Sequence, residues 1–332
     1  MVYNYSYAYF AMSARVFAEV NMLLSAISIL LNIFFIYCMV FPQQGAEQMK
    51  RTLKVLLASL IACNITIHSS SILTVLCEFV LYNVIDNWYI CYLMFDIILA
   101  VMIYTMMTII TSCHWKNMFY FCQIVRLQHY VFIWLKRNIQ AIINCALILN
   151  AILFLFGIIV ELAYAVVRLN YYQLNNTSDE VGHAMWNSLV INRQIRLVDF
   201  WTRLGCFFLS LCVMLASSYA TVFYLWRHMK NVGESGLVSP RLQRQIKMTI
   251  TGITVQALLH FLCSDGIILI QIIPKYYNVD LDWNGYIICT IISVYSFGTS
   301  INMMVSQSLF RQRAVCIWQK LLQTVNCLSL NN

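Results

Sequence analysis

Residues 102–137 read MIYTMMTIITSCHWKNMFYFCQIVRLQHYVFIWLKR. An apolar run stops, aromatic residues accumulate, and cations then appear among further apolar residues. A membrane helix leaving lipid for a cytoplasmic loop has this pattern. The rest of the chain is built the same way. Of its 332 residues, 61% are hydrophobic and 10% charged, and the apolar ones fall in long runs rather than alternating. A soluble chain of this length needs a far more polar surface. Continuous runs also exclude a barrel, because each spanning segment satisfies its own backbone in lipid only as a helix.

A membrane helix needs about 20 apolar residues. Seven stretches qualify, at residues 16–41, 53–81, 89–121, 139–167, 200–226, 248–273 and 283–310. The expected fold is an all-α membrane protein, a seven-transmembrane helix bundle over residues 1–310. Residues 311–332 form a cytoplasmic tail whose alternating cations and apolar residues suit a short surface helix. The N-terminal residues lack the features of a cleaved signal peptide, so the first span is expected to serve as its own signal.

The net charge of +8 does not indicate a nucleic-acid partner, because the cations lie between apolar runs. The segments after spans one, three and five, together with the tail, hold 15 of the 21 Lys and Arg but only Glu47 and Glu234 of the 13 acids. The positive-inside rule makes these segments cytoplasmic, with the N-terminus outside and the C-terminus inside. The expected location is the plasma membrane, multi-pass. Sequons at Asn4, Asn175 and Asn176 then fall outside and are candidate glycosylation sites. The 13 cysteines show no metal-ligand spacing, and no metal or cofactor is expected. Cys316 is a candidate for palmitoylation, with an unmodified thiol as the competing reading.

Polar residues recur inside the spans at helical spacing. Asn21, Ser25, Ser28 and Asn32 form one stripe; Asn64, His68, Ser71 and Glu78 a second; Gln256, His260, Ser264 and Gln271 a third; Ser296, Thr299 and Ser300 a fourth. Each marks a face turned to the bundle axis. Hydrogen bonding between helices accounts for the stripes near the inner ends, whereas residues in the outer half can line a cavity. Asp96 and Asp265 need water, a partner or a ligand, because an Asp at a helix centre costs roughly 2.5–3.5 kcal/mol. Arg203 is the nearest counter-ion to Asp96 by depth, so an ion pair competes with a ligand role. No catalytic motif is present, which points away from an enzyme. A seven-span transporter or channel finds no support in repeats or broken helices.

Three short motifs stand at span ends in a fixed order: Asn117-Met118-Phe119-Tyr120-Phe121, Phe132-Ile133-Trp134-Leu135-Lys136-Arg137 and Leu225-Trp226-Arg227-His228-Met229-Lys230. They resemble the motifs ending span three, opening span four and ending span five in the bitter taste receptors, the type 2 taste receptor family. The Asn175/Asn176 sequon sits where that family carries its glycan, and Asn32 and Leu57-Ala58-Ser59-Leu60 are weaker echoes. The chain departs from the family at Met106-Met107, where an Asn-His pair is usual, and at Thr299-Ser300, Gln307–Arg311 and Gln123. The acidic-Arg-Tyr and Asn-Pro-x-x-Tyr motifs of rhodopsin-like receptors are absent. A type 1 vomeronasal-like pheromone receptor is the neighbouring alternative.

The resemblance implies a G-protein-coupled receptor for small-molecule bitter ligands. It places amphipathic tastants in the outer half of the bundle and a gustducin-like heterotrimeric G protein at the inner ends. Membrane lipid is a further partner, and self-association is left open. The ligand candidates are Met102, Met106, His260, Ser264, Asp265 and Asp96. The G-protein-facing candidates are Phe119, Tyr120, Arg126, Lys136, Arg137, Arg227, His228 and Lys247.

Overall fold

The computed structural model describes residues 12–41, 49–81, 88–125, 130–174, 179–234, 240–277, 282 and 285–330. All regular structure among them is helical. The helices are α1 (Ala14–Val40), α2 (Arg51–Leu76, closed by a π-helical turn at Cys77–Leu81), α3 (Trp88–Ile124), α4 (Tyr130–Leu174), α5 (Asp179–Glu234), α6 (Pro240–Tyr277), α7 (Tyr286–Ser306) and α8 (Ser308–Leu330). Helices α1 to α7 are each long and apolar enough to cross a membrane. We call the end of the bundle where α1 begins the upper end.

The helix ends follow from local chemistry. The Ser13 hydroxyl accepts from the Val16 N–H at 3.3 Å and caps α1. Pro240 opens α6, where its missing N–H would have had no partner. Asp282 accepts from the Ile288 N–H at 2.9 Å and holds the start of α7. Burial raises its carboxyl above the ordinary range, against backbone N–H groups that pull it down. Gly285 turns the chain into α7 at φ 65°, a conformation that suits glycine. Gln307 is extended, and that single residue separates α7 from α8.

Each helix packs on the next, α1 on α2 through α6 on α7, and α7 returns to α1. Helix α3 passes through the middle, touching α2, α4, α5, α6 and α7. Helix α8 packs on α7 and α1. The side chains are distributed inside out relative to a soluble protein. Leu23, Leu30, Ile148, Ile159, Leu209 and Leu262 are exposed, whereas Asn21, Asn32, Asn64, His68, Gln256 and Ser300 are fully buried. Lipid is the solvent such a surface suits, and the buried polar groups must find partners within the bundle.

They do so most completely among α1, α2 and α7. Asn64 donates to Ser300 at 3.0 Å and accepts from Ser296 at 2.8 Å. Asn32 donates to the same Ser300 at 3.1 Å. Asn21 donates to Thr290 at 2.9 Å and accepts from Ser71 at 3.2 Å, and Ser293 donates to Ser71 at 3.3 Å. Around these bonds lie Phe17 stacked on Tyr286 and Phe35 stacked on Phe310, each with ring centroids 4.5 Å apart. The upper cavities open on the other side, around α3 and α5.

Candidate functional site

Among the cavities of the upper half, two adjoin along α3 and α5. The larger, about 880 Å³, is bounded by α3, α4, α5 and the start of α7. The smaller, about 50 Å³, lies between α3, α5, α6 and α7 and has an apolar wall of Met106, Met107, Phe207 and Ile267. Ile103, Phe200 and Arg203 line both, so the two meet at those side chains.

The polar lining comes mainly from the upper part of α5. Arg193, Arg196, Phe200 and Arg203 follow one another at intervals of three and four, which puts them on one helical face. The apolar stretch predicts a span starting at residue 200, but the helix starts at Asp179. At 1.5 Å per residue its 56 residues reach about 84 Å, well beyond a hydrocarbon core of roughly 30 Å. That extension carries Arg193 and Arg196 to the cavity.

Acids on α4 and α5 meet two of these cations. Arg196 pairs with Glu161 at 3.0 Å, and Arg203 lies 3.9 Å from the other oxygen of Glu161. Arg203 also pairs with Asp199 at 2.8 Å, and Asp199 accepts the Tyr104 hydroxyl at 2.6 Å. The Arg196 guanidinium lies over the Tyr164 ring at 4.0 Å, and that of Arg203 over Tyr104 at 4.9 Å. Asp96 is paired with Arg168 of α4 at 3.6 Å, not with Arg203. Depth alone had favoured Arg203, but Asp199 sits one turn from Arg203 on the same helix and takes it instead.

The sequence candidates for the ligand site separate. Met106 lines the smaller cavity, joined by Met107. Met102 is fully buried in the main core. His260 is fully buried between Phe207 and Tyr295, at centroid distances of 5.4 and 6.1 Å. Neither of its ring nitrogens has a hydrogen-bond partner among the described residues. The buried Ser264 hydroxyl donates to the His260 carbonyl of its own helix. Asp265 is partly exposed and lies outside the lining of both cavities. Sequence reasoning missed Ile103, Phe200, Arg193 and Arg196; the helical spacing of the last three was the available signal.

At the lower end a polar cavity of about 360 Å³ opens between α2, α3, α6 and the α7–α8 junction. Tyr120 lines it and donates to Gln307 at 3.0 Å. Lys116 and Asn117 line it one turn earlier, and both are buried. Arg311 faces it from α8. Phe119 instead packs into a separate core with Leu56 and Ile143. Lys136, Arg137, Arg227, His228 and Lys247 are exposed around this end, outside the cavity lining. Arg126, Asn4, Asn175 and Asn176 lie outside the described residues.

The described residues form a bundle of seven helices of membrane-crossing length with a cavity toward each end. The family model for taste receptor protein (TAS2R) matches residues 10–322, and the chain belongs to that family. It is 29% identical over 150 residues to taste receptor type 2 member 114 of Mus musculus. That match takes in 44% of this chain and 43% of the mouse protein, less than half the length of either. Of the readings drawn from the sequence, the taste-receptor one is the one these matches support.

Proposed function

We propose that this protein is a G-protein-coupled bitter taste receptor of the plasma membrane, with its upper end outside and its lower end in the cytoplasm. The family match over residues 10–322 carries this reading. The orientation rests on charge. Lys50, Arg51, Lys54, Lys136, Arg137, Arg227 and Lys230 all belong to the lower end, the distribution expected of a cytoplasmic face. Several upper arginines sit beside acids: Arg15 with Glu19, Arg168 with Asp96, and Arg196 and Arg203 with Glu161.

Small amphipathic tastants bind in the paired upper cavities. Met106 and Met107 offer flexible, polarizable walls that suit ligands of several shapes. His260, just behind Phe207, supplies a polar group to a ligand that displaces that ring. A gustducin-like heterotrimeric G protein engages the lower cavity, with Tyr120, Lys116 and Arg311 on its walls and the exposed cations at its rim. Tyr120 bonded to Gln307 ties α3 to the α7–α8 junction. An agonist that favours the state with this end open shifts the population toward coupling.

The test is a panel of bitter compounds applied to cells expressing the receptor with a promiscuous or gustducin-like G protein. At least one member raises intracellular calcium, and omitting the G protein removes the response. Silence across a broad panel, with surface expression verified, overturns the proposal.

A further inference from the structure

We infer that the larger upper cavity selects amphipathic organic anions, carboxylates above all, over their neutral counterparts. This rests on the receptor reading above and names the chemistry of its ligands. Three guanidinium groups line the cavity, those of Arg193, Arg196 and Arg203, against one carboxylate, Glu161.

The carboxylates near the cavity are already engaged. Glu161 serves two arginines, and Asp199 holds Arg203 and the Tyr104 hydroxyl. The donors are in excess, since each guanidinium carries five N–H groups in a planar fork matched to a carboxylate. Arg193 is exposed on the cavity wall and has no ion-pair partner among the described residues. Arg196 is held against Tyr164, and Arg193 lines the same cavity one turn earlier on α5. Arg193 and Arg196 lie above Arg203, which stands with Ile103 and Phe200 where the cavity meets the apolar wall at Met106. A molecule with a carboxylate at one end and an apolar body at the other matches both ends. The excess of guanidinium groups over the one lining carboxylate disfavours a cationic ligand in the same place.

The experiment uses the full chain expressed with a promiscuous G protein and a set of amphipathic carboxylic acids, each paired with its primary amide. The acids give half-maximal calcium responses at concentrations about tenfold below those of the amides, the difference of a charge-assisted bidentate contact. Arg193→Gln raises the acid value about tenfold and changes the amide value far less, while Arg193→Lys keeps part of the acid response because it retains charge but not the fork. Surface staining confirms that each variant reaches the membrane. Equal or better responses to the amides, or equal shifts of acid and amide in Arg193→Gln, overturn the inference and leave the receptor reading standing. Activation by other bitter compounds but by neither member of any pair does the same. If nothing activates the surface-expressed receptor, both fall together.

Discussion

Asn64 donates to Ser300 on α7 and accepts from Ser296 one turn above it, with no part of the residue exposed. Interhelical hydrogen bonds in membranes contribute modestly, about 0.6 kcal/mol on average, because polar groups in the unfolded membrane state also find partners. Removing one side of a buried pair costs more than the bond, since the other side is left without a partner. Asn64→Leu removes two bonds and strands the Ser296 hydroxyl, while Ser300 keeps the bond from Asn32. We expect it to destabilise the detergent-purified protein by about 1–2 kcal/mol, seen as a lower thermal midpoint. Asn64→Leu with Ser296→Ala should recover part of that loss, because Ser300 stays bonded to Asn32. An unchanged midpoint in the single variant would show that the network does not hold α2 to α7. The stripe containing Asn64 was legible at sequence level because burial of polar groups follows from helical spacing. Its partners were not, because register between two helices depends on how they pack.

Helices α6 and α7 meet at a contact set by glycine. A Cβ placed on Gly252 would lie 2.6 Å from the Cβ of Ser306, an atom that cannot move without its helix. The close approach also lets Asn302 donate to the Gly252 carbonyl at 3.0 Å and to Gln256 at 2.9 Å. Small residues at such crossings let backbones come together in lipid, where packing replaces the hydrophobic effect between helices. Gly252→Ala is therefore expected to destabilise the fold by about 1–3 kcal/mol through overpacking. Ser306→Gly in the same chain reopens the space and should restore most of the thermal midpoint. No restoration would place the effect elsewhere than at this crossing. Helix α5 makes the opposite point about length. Its continuous apolar stretch marks only part of the helix, and the mixed polar and apolar residues 179–199, which contain no proline, continue it. The cavity arginines lie in or near that continuation, which is why hydropathy alone leaves two of them outside the bundle.

For the molecule as a whole, the orientation decides which cavity faces the tastant. In the sequence, Asn175 and Asn176 fall between Leu174 and Asp179, the end of α4 and the start of α5, and those two helix ends lie at the upper end. If that end is outside, glycosidase treatment lowers the apparent mass of the expressed protein. Asn175→Gln with Asn176→Gln then removes most of the shift. A full shift persisting in the double variant would move the glycan to Asn4, and no shift in the native chain would leave the orientation to be settled by terminal epitope accessibility.

Sequence alone determined the class of fold and the direction of its faces. Runs of apolar residues long enough to cross lipid specify helices, since each span must satisfy its own backbone there, and the placement of Lys and Arg specifies the expected topology. The motifs around Phe119-Tyr120, Lys136-Arg137 and Trp226-Arg227 carried the family. Tertiary structure alone decided which polar groups meet. It paired Asp96 with Arg168, closed Ser264 onto its own helix, buried Met102 in the core and left Met106 beside a cavity. Those outcomes depend on distances of a few ångströms between separate helices. Spacing within one helix specifies a face, but only packing specifies what that face touches.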